Sequence, residues 1–149
     1  MLKSVLLFLH LAGVIVWVGG MFFAYFCLRP AAVRTLEPPQ RLPLWVASFE
    51  TFLRYTAIAV VVIVASGFAM FLPVGFALAP PGWHVMLLAG LAMAAIFGHV
   101  NFALYPRLRR HSEAARWPEA AAALNAIRQF VAVNLVLAVV AVGAAALAR

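Results

Sequence analysis

Three stretches of this sequence contain no Lys, Arg, Asp or Glu: 25 residues between Lys3 and Arg29, 52 between Arg54 and Arg107, and 20 between Arg128 and Arg149. A helix needs about 20 consecutive apolar residues to cross roughly 30 Å of hydrocarbon. The first and last runs therefore supply one spanning helix each. The middle run supplies two, joined where Pro73, Gly75, Pro80, Pro81 and Gly82 punctuate it. The runs are long and unbroken, without the alternation of a membrane barrel. The expected fold is all-α, a four-helix transmembrane bundle in a single domain over residues 1–149, with helices at about 4–28, 44–72, 82–105 and 120–148. Composition agrees: 67% of residues are hydrophobic and 10% charged, against roughly 45–50% and 25% in an ordinary soluble domain.

Orientation follows from the arginines. The segment after the first helix holds Arg29, Arg34 and Arg41, and the segment after the third holds Arg107, Arg109, Arg110 and Arg116, whereas the 73–82 connection carries no charge. Cytoplasmic loops are enriched in Lys and Arg, so both termini are expected on the outer, periplasmic side of a bacterial inner membrane. The net charge of +7 borders the bilayer and gives no ground for a nucleic-acid partner, though a grip on anionic lipid fits it. The run after Lys3 is too long for a signal-peptide h-region of roughly 7–15 residues, so it reads as a retained helix. Cys27 is the single cysteine and reads as a small packing residue; an internal disulfide is impossible.

Ionisable groups at membrane depth are costly and usually functional. Here they are His10, His84 and His99, with Glu50, Arg54 and Arg128 near the basic ends. His84 and His99 are separated by about 60° around a helix and about 22 Å along it, a spacing that suits two stacked b-type haems. On the first helix His10, Trp17 and Met21 fall within about 20° of one line, and His and Met are both ordinary axial ligands of haem iron. Gly13, Gly19 and Gly20 leave room beside that line for a close helix or a flat macrocycle. Arg54 and Arg128 could then hold propionates, with Glu50 and Arg54 pairing at i, i+4. The competing chemistry is copper: imidazoles and thioethers suit Cu(I), and His10, His84, Met70 and Met86 gather towards the outer end, His99 being a further metal candidate. Each of these residues also has a plainer role, the histidines in interhelical hydrogen bonding and the methionines as apolar filler. His111 reads as a solvated loop residue. No Asp, phosphate-binding glycine loop or catalytic triad points to a soluble substrate.

Leu9-His10-Leu11-Ala12-Gly13 followed by Trp17-Val18-Gly19-Gly20-Met21-Phe22-Phe23 resembles the start of the CopD family of bacterial inner-membrane proteins, the copper-resistance D domain. The likeness continues through Leu28-Arg29-Pro30-Ala31, Glu37-Pro38-Pro39-Gln40-Arg41-Leu42, His84-Val85-Met86, His99 with Phe102, Arg107-Leu108-Arg109-Arg110, Ile127-Arg128 and Asn134-Leu135. It is to the short, four-helix kind, itself similar to b-type cytochrome bundles. A second likeness is to the HemJ-type protoporphyrinogen oxidase, which has a similar early His and a His-x-Lys at the start of its third helix. Here that element reads His84-Val85-Met86, and without the lysine the likeness implies a haem-binding architecture rather than that activity.

The leading expectation is therefore a CopD-like protein that binds haem b through His10, His84, His99 and Met21 and passes electrons within the membrane, to or from quinone or another redox partner, as a haem-dependent oxidoreductase. A homodimer could complete a site that one chain leaves half-ligated. The alternative is a copper transport or homeostasis protein, and the third reading is a structural subunit without a ligand.

Overall fold

The computed structural model describes residues 1–148. Four long helical rods are each long and apolar enough to cross a membrane: α1 (Leu2–Thr35), α2 (Pro38–Phe71), α3 (Pro81–Glu113) and α4 (Trp117–Leu147). The described residues contain no strand. The fold is thus the all-helical, four-span architecture expected, and α1 packs along α2 as α3 packs along α4.

The helices run further than the sequence reading placed them. The first connection was expected to contain Arg29, Arg34 and Arg41, but only Leu36 and Glu37 break the helix. The third connection shrinks to Ala114–Arg116, and His111 lies on α3 rather than in a loop. The reason lies in two prolines. A proline ring inside a helix clashes with the carbonyl four residues back, yet neither Pro30 nor Pro106 ends its rod. Each follows a wide π-helical segment, Phe23–Leu28 in α1 and Val100–Leu104 in α3. There the N–H of Arg29 reaches back five residues to the Ala24 carbonyl and that of Tyr105 to Val100. The opened turn makes space for the ring one or two residues later. Pro38 and Pro118, at the first turns of α2 and α4, sit where no N–H is needed. Glu37, restricted by the following proline, is extended at φ −72°, ψ 159° and stands at the N-cap position of α2, its backbone carbonyl accepting from the Arg41 N–H at 2.8 Å.

The bundle runs up-down-up-down. Gly13 lies against Ile63 and Ala59, and Gly20 against Phe52, so α1 and α2 are antiparallel. Gly82 against Ala144, and Asn134 Nδ2 donating to the Met93 carbonyl at 3.4 Å, show the same for α3 and α4. Two packed layers fill the interior. At the arginine-rich end Leu42, Trp45, Phe49 and Leu53 meet Leu104, Leu108 and Ile127; at mid-depth Trp17 and Met21 meet Ala59, Met93 and Ala138. The outside is apolar as well, Ile15, Ile58, Leu88, Phe102 and Val139 all being exposed, as befits a surface solvated by lipid. Cys27, expected to pack, is exposed instead.

A candidate soft-metal cavity

Between α1, α2, α3 and α4, towards the end away from the arginine clusters, lies a cavity of about 200 Å³. Among the described residues His10 is the one titratable side chain on its wall, beside Trp17, Gly67, Phe68, Phe71, Met86, Gly90 and Met93. Sequence spacing explains why these meet. Met86 and Met93 are seven residues apart, so they stand within about 20° of one line on α3, about 10 Å apart in depth. Gly90 falls on the same face between them and contributes no side chain. Trp17 of α1 meets Phe97 of α3 edge-on at 6.1 Å between ring centres. Because α1 and α3 run the same way, stepping back seven residues from each brings His10 level with Gly90. His10 therefore sits at a depth between the two methionines, about 6 Å from one level and 4.5 Å from the other.

The imidazole is held from behind by α2. His10 Nδ1 is 3.0 Å from the Ile63 carbonyl and 3.1 Å from Ser66 Oγ. A carbonyl only accepts, so Nδ1 carries the proton. Ser66 spends its own hydroxyl hydrogen on the Val62 carbonyl at 2.6 Å and leaves its oxygen to accept from His10. A neutral imidazole has one N–H; with Nδ1 protonated, Nε2 is the unprotonated nitrogen. A backbone carbonyl behind one ring nitrogen is the usual means of orienting the other as a metal ligand. Gly67 leaves room for the ring, since a Cβ there would stand 3.3 Å from His10 Cε1.

The other proposed site residues are not brought to this cavity. His84 ties down the α2–α3 connection: its Nε2 lies 3.1 Å from the Phe76 carbonyl and its Nδ1 3.3 Å from that of Pro80, with the ring edge-on to Phe71 at 5.5 Å. His99 is exposed on α3, against Phe130 of α4 at 5.0 Å. The three histidines thus do not form one ligand set, and the shared face of His84 and His99 does not meet the His10 line. Met70 lies outside the lining as well. Met21 is 2% exposed and packs with Trp17 between this cavity and the arginine-rich end. Arg54 points outward and pairs with Glu50 at 2.7 Å, the i, i+4 contact expected. Arg128 lines a separate cavity with Arg29 and Arg41, and no histidine is on that wall. Met93 is the residue sequence reading missed; its seven-residue spacing from Met86, with Gly90 between, was the available signal.

Among the described residues no three His, Cys, Asp or Glu side chains come together as a metal site. Any metal here would rely on one imidazole and thioethers, a donor set that selects Cu(I) over harder ions. A haem fits less well. Its iron could take the His10 imidazole and a thioether, but among the described residues no cationic side chain lines this wall to meet its propionates.

The sequence model of a family described as Copper resistance protein D, CopD, matches residues 46–148. These contain Met86 and Met93; His10 precedes them. Neither the curated proteins nor the solved structures yield a match.

Proposed function

The chain belongs to the CopD family, and from that premise we propose that this multi-pass membrane protein binds Cu(I) as cargo between His10, Met86 and Met93 in copper homeostasis. The observation that carries the reading is the His10 imidazole, its Nδ1–H committed to Ile63 and its Nε2 free on a cavity wall shared with two thioethers. Neutral, polarisable donors suit a soft monovalent ion in an apolar surrounding, because binding adds a single positive charge and displaces no proton. An orientation with this cavity facing the periplasm of a bacterial inner membrane follows from the basic opposite end. The test is a Cu(I) titration of detergent-purified protein against a chromogenic chelator. The wild type should compete for about one ion per chain. His10→Ala and the double change Met86→Leu/Met93→Leu should each weaken binding at least about tenfold, and His84→Ala should not. Binding indifferent to His10 sinks the assignment.

One observation favours a second reading. Gly67 and Gly90 flatten the walls beside His10, and an imidazole–thioether pair is an ordinary haem ligand set. On that reading the protein is a b-type haem protein that passes electrons, with quinone as a candidate partner. Sharp reduced α and β absorption bands that depend on His10 would support it; a featureless spectrum after expression with ample haem counts against it.

A further inference from the structure

We propose that the second cavity, at the arginine-rich end, is a binding site for the head group of an anionic membrane phospholipid. Arg29 of α1, Arg41 of α2 and Arg128 of α4 converge on its wall, and Met21, Phe49 and Phe52 line it deeper in the bundle; it measures about 180 Å³. All three arginines are partly buried.

None of the three forms an ion pair among the described residues. The chain has four acidic side chains, all glutamates. Glu50 is taken by Arg54 and Glu113 by Arg109, and neither Glu37 nor Glu119 is on this wall. Arg41 places one N–H near the Leu36 carbonyl at 3.4 Å, which leaves most guanidinium donors unspent. Three like charges around one small, largely apolar cavity repel one another, a cost that an anion between them relieves. Guanidinium forks match phosphate oxygens in pairs.

The backbone is arranged to deliver Arg29 there. In an unbroken α-helix Arg29 would stand about 80° away from Met21, eight residues earlier. The π segment Phe23–Leu28 inserts one residue's worth of rotation and returns Arg29 to within about 20° of Met21. Both therefore line the same cavity. The π turn that accommodates Pro30 is thus also the device that aims an arginine inward.

The occupant is an amphiphile rather than a free anion. A charged rim over an apolar floor, open at the membrane border, matches a phosphate head with its acyl stem. The absence of a histidine from the wall separates this site from any metal or haem chemistry at His10.

Native mass spectrometry of the delipidated full-length protein tests the assignment, with phosphatidylglycerol, phosphatidylcholine or inorganic phosphate added singly. Phosphatidylglycerol should bind at least about tenfold more tightly than phosphatidylcholine. Arg29→Gln, Arg41→Gln and Arg128→Gln should each erase most of that preference, while Arg54→Gln and Arg110→Gln leave it intact. Equal binding of the two lipids by the wild type overturns the proposal without any variant. So does an equal loss in the Arg54 and Arg110 controls, which marks a diffuse charge effect. Inorganic phosphate bound as tightly as the lipid, in an Arg29-dependent manner, makes the site one for a soluble anion.

Discussion

Gly13→Ala tests the α1–α2 packing where it bears on the candidate site, because the contact it disturbs lies one turn from the His10–Ile63 hydrogen bond. A Cβ at Gly13 would stand 2.7 Å from Ile63 Cγ1 and 3.2 Å from the Ala59 carbonyl oxygen. Carbon atoms pack best at about 3.5–4.0 Å, so the helices must part by most of an ångström or Ile63 must leave its rotamer. Overpacking of this kind costs about 1–3 kcal/mol. Replacing a mid-helix glycine by alanine returns up to about 1 kcal/mol of helix propensity. The net expectation is a loss of about 1–2 kcal/mol. Gly19, six residues along the same helix, has nothing within 4 Å of its would-be Cβ, so Gly19→Ala should be neutral or stabilising by up to about 1 kcal/mol. Reversible unfolding in mixed micelles measures both. The double change Gly13→Ala/Ile63→Ala should be less destabilised than the two single losses summed, since removing Cγ1 removes the clash. Equal effects at Gly13 and Gly19, or strict additivity with Ile63→Ala, would refute the close approach. Cu(I) affinity gives a second readout: parting α1 from α2 loosens the bond that orients His10, so Gly13→Ala should weaken binding and Gly19→Ala should not.

Further outcomes follow from single contacts. His84→Ala removes the single hydrogen bond that a neutral imidazole donates to a loop carbonyl, that of Phe76 or that of Pro80, and should cost about 1 kcal/mol, read as faster proteolysis at residues 72–80, with Cu(I) binding unchanged. Ser66→Ala deletes one of two acceptors of the His10 Nδ1–H and should lower Cu(I) affinity by less than His10→Ala does. Asn134→Leu exchanges a weak 3.4 Å hydrogen bond, and a buried Oδ1 without a protein partner, for apolar packing; its unfolding free energy should change by less than about 1 kcal/mol. Pro30→Ala lets the π turn close into an α-helix and should cost the phosphatidylglycerol preference while the helix content seen by circular dichroism stays the same.

The four spans were legible because charge is nearly absent from them, and without the alternation of a barrel only helices satisfy that much backbone in lipid. The ends of the rods were not legible. Pro30 and Pro106 look like helix terminators, and only the π turns preceding them explain why α1 and α3 carry on; a wide turn leaves no mark in hydropathy. Of the candidate ligands, His10 was visible as a lone imidazole on a line with Trp17 and Met21, and Met86 as a nearby thioether. Their meeting depends on which helices are neighbours and at what level, and that is set by contacts such as Gly13 on Ile63 and Trp17 on Phe97. His84 and His99 share a helix face by arithmetic, but the loop carbonyls claim one and the exposed face of α3 carries the other. The arginines were legible as a basic end, whereas the convergence of Arg29, Arg41 and Arg128 depends on the same π turn.

The central claim is that His10 and two thioethers hold one soft ion. X-ray absorption at the copper edge of the Cu(I)-loaded protein tests it most directly. The account predicts a first shell with sulfur and one nitrogen, imidazole scattering that disappears in His10→Ala, and a sulfur contribution that falls in Met86→Leu/Met93→Leu. A shell of light atoms alone, or a sulfur shell that survives the methionine changes and vanishes in Cys27→Ser, would contradict it and move the copper to the exposed cysteine or to adventitious ligands.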